Sequence, residues 1–260
     1  MPENNTYTLL ITACISPNAA DFKFNEQFRI DPQVRMEDYI GCFKYWLHYH
    51  EPRIVNIVFV ENSGYDINPL KIIAQDHNQY NRKIEFIQIN AGAIPKGIHY
   101  GYAELEMIDE AVEKSALIHQ SDYFIKVTGR LYFPELSKLI RSMRGCVHFL
   151  SDSRDYSIAG KKKRYIVTTL LIIKKDFYKR KLWMTRNQMM PGIISHFETL
   201  YYSILKPISL KDKRILLRFP FNVNPVGYGA HWNVNYNSVS KRVESTIRGI
   251  TRVLLPSFRI

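Results

Sequence analysis

Residues 122–133 read DYFIKVTGRLYF, a run of apolar and β-branched residues that ends in a cationic corner containing a glycine. The apolar residues predict a buried β-strand. The polar positions at and after its end are Lys126, Thr128, Gly129 and Arg130. Glycine at a strand end favours a close backbone approach, and two cations favour an anionic ligand. This corner therefore predicts both a strand of a sheet and one wall of a binding site.

Other short apolar runs surround this strand and alternate with helical patterns. They predict strands at 7–15, 54–60, 84–89, 147–150 and 165–173. Apolar residues at helical spacing predict helices at 36–50, 102–118, 134–143 and 193–205. Alternation of strand and helix through roughly the first 145 residues is typical of βαβ units. The predicted fold class is α/β, with a mostly parallel sheet flanked by helices and a less regular C-terminal third. We expect one domain over 1–236 and a basic amphipathic helix or tail over 237–260.

The chain is strongly basic. Its 260 residues include 36 Lys and Arg against 24 Asp and Glu, which gives a formal net charge of +12. Such an excess favours nucleotide phosphates, an anionic membrane surface or nucleic acid as partners. The basic runs at 161–164 and 179–181 and the seventeen tyrosines keep a nucleic-acid-binding protein open as an alternative. No recognised nucleic-acid-binding motif is present, so we expect no nucleic-acid partner.

Cysteine usage and hydropathy bear on location. The three cysteines are far apart and include no C-x-x-C pair, which predicts reduced, buried thiols rather than a zinc site or disulfides. The N-terminus has no signal-peptide pattern, and no apolar run approaches the ~20 residues of a spanning helix. We therefore expect a cytoplasmic protein, either soluble or peripheral on the inner face of the cytoplasmic membrane.

Polar loops follow the predicted strands, and in an open α/β sheet the ligand lies beyond the carboxyl ends of the strands. These loops are at 14–18, 61–66, 90–101, 128–132 and 151–155. We expect them to line one cleft. None is a Walker loop, and no G-x-G-x-x-G follows the first strand, so P-loop and dinucleotide-binding sites are weakly supported.

Two segments carry a resemblance to a known family. The sequence KGIHYGYAELEMIDEAVEKS at 96–115 precedes DYFIKVTGRLYF at 122–133. Together they resemble bacterial surface-polysaccharide glycosyltransferases in which a K-G-x-x-x-G-x-x-E helix precedes K-x-T-G-R. In outline, roughly residues 7–205 resemble the GT-A fold. The resemblance implies transfer of a sugar from a nucleotide-diphosphate donor, for which a UDP-sugar is the first expectation. The acceptor it implies is a glycan or lipid-linked glycan in capsule or lipopolysaccharide synthesis.

The chain departs from that fold at one important place. The strand corresponding to 123–127 normally ends in a D-x-D motif that holds a divalent metal against the donor diphosphate. Here Lys126, Thr128 and Arg130 occupy the motif, and arginine or lysine can stabilise a leaving diphosphate without a metal. We therefore expect Arg130 to be catalytic and assign no metal ligands, while Mn²⁺ or Mg²⁺ dependence stays open. The alternative is that Lys126 extends its ammonium to solvent and Arg130 pairs with a surface carboxylate.

The resemblance also implies a set of donor-binding residues. They are Thr12, Ala13, Asn62, Asp66, Lys96, Gly97, Gly101, Glu104, Lys126, Thr128, Gly129, Arg130 and His231. Three of them have simpler alternatives. Asp66 suits an Asx turn, Glu104 suits the first turn of a helix, and His231 suits a hydrogen-bonded loop.

Transfer with inversion requires a base near the acceptor hydroxyl. Glu198 is the first choice because it lies at the start of a predicted helix, as such a base often does in inverting GT-A enzymes. Asp152 is the competing candidate; the alternatives are that Asp152 and Asp155 hold a metal or form a solvated turn. We expect His196 and Asp155 to contact the acceptor. The S-x-x-E spacing at 195–198 leaves a capping box as the alternative role of the glutamate.

The last segment, 238–258, has a helical apolar stripe beside basic residues. The stripe consists of Val239, Val243, Ile247, Ile250 and Leu254, and the basic residues largely off it are Lys241, Arg242, Arg248 and Arg252. This pattern suits a helix on an anionic lipid surface, where a lipid-linked acceptor would be found. It also suits a helix that packs its stripe on the domain.

Overall fold

The computed structural model describes residues 5–17, 29–156, 163–229 and 234–254. The strands are β1 (Tyr7–Ala13), β2 (Ile54–Glu61), β3 (Lys83–Gln88), β4 (Tyr123–Thr128), β5 (Leu131–Tyr132), β6 (Phe149–Leu150), β7 (Ser153–Asp155), β8 (Arg164–Ile166), β9 (Leu170–Lys174), β10 (Ile215–Leu216) and β11 (Val226–Gly227). The helices are α1 (Pro32–His48), α2 (Asn68–His77), α3 (Gly101–Lys114), α4 (Ala116–His119), α5 (Leu136–Ser142), α6 (Lys175–Lys181), α7 (Phe197–Lys211) and α8 (Val239–Leu254), with a 3₁₀ helix at Thr185–Gln188.

Seven of these strands form the central sheet, in the order β10-β6-β9-β4-β1-β2-β3. β4, β1, β2 and β3 are parallel, whereas β9 runs antiparallel to both of its neighbours, β4 and β6. Two short antiparallel pairs, β5 with β11 and β7 with β8, lie outside this sheet. The predicted fold class is confirmed: the sheet is mostly parallel and helices cover it.

Both faces of the central strands are buried, as their continuous apolar sequences require. On one face, Leu9 and Ile11 of β1 belong to a core that includes Phe43 of α1. On the other face, Leu10 belongs to a second core with Ile108 of α3. The central strands therefore lie between two helical layers.

Several boundaries differ from those predicted from periodicity. The helix predicted at 102–118 is divided because the Ser115 hydroxyl accepts a hydrogen bond from Ile118 N at 3.1 Å and starts α4. The same hydroxyl donates to Glu85 at 2.6 Å. The strand predicted at 165–173 is divided into β8 and β9, and α2 was not predicted. Side-chain caps and short turns thus interrupt patterns that read as continuous.

Two further expectations concern cysteine and membrane helices. None of the three cysteines, all of which lie in the described residues, forms a disulfide. Cys42 is buried, but Cys14 and Cys146 are partly exposed, which corrects the expectation that all are buried. In the part of the chain that the structure describes, no helix is both long and apolar enough to cross a bilayer.

Candidate active site at the carboxyl edge of the sheet

The ends of β1, β2 and β4 bring the predicted loops to one edge. Thr12 of β1 lies opposite Thr128 of β4 in the parallel register, and the Gly129 amide donates to Thr12 O at 2.9 Å. A Cβ on Gly129 would lie 2.8 Å from both Thr12 O and Tyr39 Cε1. The close backbone approach predicted at this glycine is therefore present. The groups that approach Gly129 so closely are the backbone of β1 and the ring of Tyr39.

Lys126 is completely buried at this edge. Its Nζ lies 2.5 Å from Glu104 Oε1, and it donates to Thr168 O at 2.8 Å and to Thr128 Oγ1 at 3.2 Å. An ammonium group has three N–H donors, so these three acceptors use all of them. Lys126 was expected to face a diphosphate or, alternatively, to reach solvent. In this structure its ammonium instead bonds to three acceptors inside the protein.

Glu104 gathers the other side of the same network. Its Oε1 also accepts hydrogen bonds from Thr12 Oγ1 at 3.0 Å and from Thr128 Oγ1 at 3.3 Å. We call Thr12, Glu104, Lys126, Thr128 and Thr168 the Lys126 network. It ties the first turn of α3 to β1, β4 and the turn before β9. The Glu104 side chain is 17% exposed, and none of these bonds reaches its Oε2.

Glu198 lies beside this network in the first turn of α7. Its Oε1 accepts a hydrogen bond from Thr168 Oγ1 at 3.3 Å, whereas Oε2 is out of contact with solvent and has no hydrogen-bond partner among the described residues. Burial raises the pKa of Glu198 and the Glu104 charge adds to this, against opposing effects of its own backbone N–H, Lys126 and Thr168. A carboxyl group with a raised pKa is suited to proton transfer near neutral pH.

The start of α7 also decides the capping alternative. The residue that caps α7 is His196, without a side-chain cap bond, so Glu198 and Ser195 do not form a capping box. The exposed His196 ring stacks on His99 with 4.4 Å between ring centroids. A Cβ on Gly101 would lie 2.7 Å from Phe197 Cβ, so the absence of a side chain lets the beginnings of α3 and α7 meet.

Arg130 is buried, with 3% of its surface exposed. Its Nη1 is 4.0 Å from Asp38 Oδ2, but Asp38 is held more closely by Arg29, whose Nε and Nη2 lie 2.5 and 2.8 Å from the carboxylate. Arg130 Nε and Nη1 are out of contact with solvent and have no hydrogen-bond acceptor within the described residues. A buried guanidinium with two unmatched donors is costly in free energy, and an anion would satisfy it.

Two tyrosines that sequence reasoning missed lie in the same region. Burial raises the pKa of Tyr100; the negative charges of Glu198 and Glu104 raise it further, and Arg130 lowers it. Burial also raises the pKa of Tyr236, and the charge of Arg130 opposes that shift. The pKa of Tyr100 is therefore influenced by both the candidate base and the candidate anion-binding group. Its place within the K-G-x-x-x-G segment was the available signal.

The aspartates of the 151–155 loop do not join this group. Asp152 Oδ2 lies 2.5 Å from Arg154 Nη1 and 2.6 Å from Arg252 Nη2. Burial tends to raise the pKa of Asp152, but these two arginines outweigh it and lower the pKa. A carboxylate so paired is a poor base. Asp155 forms an ion pair with Arg164 at 3.1 Å on the β7–β8 ribbon.

Of three other predicted donor-binding residues, one lies at the carboxyl edge of the sheet, one is exposed and one is outside the described residues. Asn62 is buried, its backbone N–H donates to Ala13 O at 3.2 Å, and its side-chain Oδ1 has no partner among the described residues. Asp66 is exposed and accepts from Asn68 N at 2.9 Å, which is the Asx turn given as its alternative. His231 lies outside the described residues.

The loop before α3 contributes less than expected. Lys96 is exposed there, outside the buried group. Gly97 has φ of +81°, and a Cβ on it would lie 3.1 Å from Pro191 Cβ. Gly97 is therefore explained by its backbone conformation and packing, whereas contact of this loop with a donor stays a prediction.

The chemistry of the corner does not fit a divalent cation. Within the described ranges, no group of three or more His, Cys, Asp or Glu is arranged to hold a metal ion. The Lys126 ammonium pairs with the Glu104 carboxylate, and Arg130 adds a second positive charge two residues after the end of β4. Mn²⁺ or Mg²⁺ at this corner would be repelled.

No protein-family model matches the chain, and no curated protein matches it. Solved structures similar to it include a cytidylyltransferase from Leptospira borgpetersenii, at 12% identity and a TM-score of 0.45, covering 82% of this chain and 75% of that one. They also include 4-diphosphocytidyl-2C-methyl-D-erythritol synthase from Anaerococcus prevotii, at 10% identity and a TM-score of 0.46, covering 95% of this chain and 96% of that one.

The similar structures also include the galactosyltransferase LgtC in complex with donor and acceptor sugar analogues. The identity is 12% and the TM-score 0.47, with 81% of this chain and 72% of that chain covered. Glycosyltransferases, whose fold the sequence resemblance implied, are thus among the structures similar to this chain. These TM-scores lie below 0.5, so the similarity carries no function over to this chain.

Proposed function

We propose that the protein is a glycosyltransferase that uses a nucleotide-diphosphate sugar. One observation carries the proposal: the buried Arg130, with two unmatched N–H donors, lies at the carboxyl edge of the sheet, where ligands of open α/β folds bind. Arginine presents a planar fork that suits phosphate oxygens. We therefore assign the donor diphosphate to Arg130 rather than to Lys126, whose three N–H donors are already used. The diphosphate would take the place of the groups that now cover Arg130 Nε and Nη1.

The proposed reaction is a direct displacement. The acceptor hydroxyl oxygen forms a bond to the anomeric carbon of the donor sugar. The bond from that carbon to the diphosphate oxygen breaks, and its electron pair leaves with the nucleoside diphosphate. Glu198 takes the hydroxyl proton, a role supported by its raised pKa. Arg130 stabilises the charge that develops on the diphosphate. Such a displacement inverts the anomeric configuration.

Further assignments rest on the resemblance of the 96–132 segment and on charge. We propose a UDP-sugar as donor and a glycan or lipid-linked glycan as acceptor, in the synthesis of bacterial capsule or lipopolysaccharide. Glu104 Oε2, which takes no part in the Lys126 network, would accept a bond from a sugar hydroxyl. The excess of basic residues supports work at the anionic inner face of the cytoplasmic membrane.

The test has two stages. Thermal shift with UDP-, GDP-, CMP- and dTDP-sugars, each with and without Mn²⁺ or Mg²⁺, identifies the donor class and any metal dependence. Release of nucleoside diphosphate from that donor is then measured for the wild type, for Arg130→Ala and for Arg141→Ala. We expect the first variant to lose about 10²–10³-fold in kcat/KM, while thermal unfolding shows that it remains folded. Arg141→Ala, on an exposed helix position, should equal the wild type.

Full activity in Arg130→Ala would discard the role given to that residue. Release of pyrophosphate from a nucleoside triphosphate and a sugar phosphate would instead indicate nucleotidyl transfer. Binding to oligonucleotides that weakens steeply with salt, without binding to any nucleotide sugar, would favour the nucleic-acid alternative.

A further inference from the structure

The helix α8 is amphipathic, but its apolar stripe faces away from the domain. The exposed fractions are 77% for Val239, 53% for Val243, 59% for Ile247, 55% for Ile250, 79% for Val253 and 71% for Leu254. No residue of α8 is buried. A surface helix normally turns such a stripe inward. Of the two alternatives that the sequence left open, packing of the stripe on the domain is therefore excluded for the described residues.

The polar side of α8 is the side that holds it to the domain. Arg252 Nη2 lies 2.6 Å from the buried carboxylate of Asp152, and its Nη1 donates to Phe219 O at 2.5 Å. Nearer the start of the helix, Asn222 Nδ2 donates to Ser245 O at 2.7 Å. Rolling the stripe inward would break a buried ion pair, so these contacts fix the orientation of the helix.

The charge of the surface identifies what would cover the stripe. Apart from Arg252, which is paired with Asp152, α8 carries Lys241, Arg242 and Arg248 against one carboxylate, Glu244, which pairs with Lys241 and Arg248. A second copy of the chain would bring together two molecules of net charge +12 and would be opposed by repulsion. An anionic lipid surface offers both an apolar layer for the aliphatic side chains and negative charge for the basic ones.

We propose that α8 is a membrane-docking helix that lays its exposed aliphatic stripe into the interface of an anionic phospholipid bilayer. Described residues just before this helix contact the strand pair that follows Arg130. Tyr236 N donates to Gly227 O at 3.0 Å, and β11 pairs with β5, which begins directly after Arg130. Docking therefore brings the Arg130 corner close to the lipid surface. Only this last step rests on the proposed function; the docking itself does not.

The test is co-sedimentation with vesicles, which needs no sugar donor. The probes are vesicles of phosphatidylcholine alone and of phosphatidylcholine with phosphatidylglycerol, at low and high salt. We expect the wild type to pellet with the anionic vesicles, and less so at high salt. The triple variant Val243→Ser, Ile247→Ser, Ile250→Ser should bind the anionic vesicles at least about tenfold more weakly than the wild type. The control is Ile72→Ser, an aliphatic side chain that is 56% exposed on α2.

Thermal unfolding of each variant checks folding, and light scattering of each reports its oligomeric state. Equal binding of anionic vesicles by the triple variant and the wild type would overturn the proposal. So would a wild type that binds neither vesicle. A wild-type dimer that the triple variant converts to a monomer, with unchanged vesicle binding, would assign the stripe to a second copy instead. Each of these results leaves the glycosyltransferase proposal standing, because none measures transfer.

Discussion

The Lys126 ammonium lies 2.5 Å from the Glu104 carboxylate with no exposed surface of its own. This pair joins the end of β4 to the first turn of α3, directly beside Glu198 of α7. A buried lysine is tolerated because Glu104, Thr128 and Thr168 accept all of its donors. The pair thus sets both the local packing and the charge that the candidate base experiences.

The first prediction concerns the stability contributed by this pair. Lys126→Met should lower the free energy of unfolding by about 3 kcal/mol, at the low end for breaking a buried ion pair because Glu104 is partly exposed. Urea denaturation measures the loss. The double variant Lys126→Met, Glu104→Gln removes both charges and should lose less than Lys126→Met alone. A double variant that loses the full sum of the two single changes would show that the two side chains do not interact.

Lys126 shows which structural features could be predicted from the sequence and which could not. Its apolar neighbours predicted the strand, and the strand is present. Which face the lysine takes follows from the strand alternation, but the presence of Glu104 on that face depends on how α3 packs, 22 residues earlier in the chain. Thr168 reaches the site through the turn before an antiparallel strand whose division from β8 was not predicted. Long-range partners of this kind leave no local pattern.

The second prediction concerns the pH dependence of activity. Glu198 acts as a base only when ionised, and burial raises its pKa above 4.5, the ordinary value. The rising limb of kcat against pH should therefore lie above that value. Glu104→Gln removes a negative charge that raises this pKa, so the limb should move to lower pH. Glu198→Gln should lose about 10²–10⁴-fold in kcat.

Initial rates of nucleoside diphosphate release over a pH series, under saturating donor and acceptor, measure this limb. Two results would contradict the assignment of the base. One is a limb that stays in place in Glu104→Gln, and the other is near-normal kcat in Glu198→Gln. Either result would indicate that the base is a group outside the first turn of α7.

The third prediction concerns the glycine of the K-x-T-G-R corner. Gly129→Ala would place a Cβ 2.8 Å from Thr12 O and 2.9 Å from Ile11 Cγ2, so strands β1 and β4 must separate. We expect a loss of about 1–3 kcal/mol in the free energy of unfolding, as for other overpacked sites. Urea denaturation provides the value.

Gly41→Ala is the matched control for that change. Gly41 lies within α1, and a Cβ on it would meet nothing within 4 Å. Alanine is the better helix former by about 0.5–1 kcal/mol, so this variant should be slightly more stable than the wild type. Equal effects of the two substitutions would mean that the approach at Gly129 relaxes without cost.

The orientation of α8 illustrates a second limit of sequence reasoning. The spacing of Val243, Ile247 and Ile250 is the same whether the stripe faces the domain or solvent, so periodicity identifies the helix and not its inward side. The Arg252–Asp152 ion pair decides the orientation, and its members are 100 residues apart. Asp152 was a candidate base because it follows a strand at the carboxyl edge. Only the positions of Arg154 and Arg252 show that its charge is already used.

The last prediction follows from that ion pair. The lowered pKa of Asp152 means that its ionised form stabilises the fold above the unfolded-state pKa of about 3.8, and that this stability is lost as pH falls through the folded-state pKa. Asp152→Asn leaves two largely buried arginines without their carboxylate and should cost about 3–5 kcal/mol at pH 7. The difference from the wild type should shrink below pH 3.8. Asp155→Asn, in a more exposed pair with Arg164, should cost no more than about 1 kcal/mol at pH 7. Urea denaturation at pH 7 and at a pH below 3.8 measures both differences. Equal costs for the two substitutions at pH 7 would mean that Asp152 does not hold α8 in place.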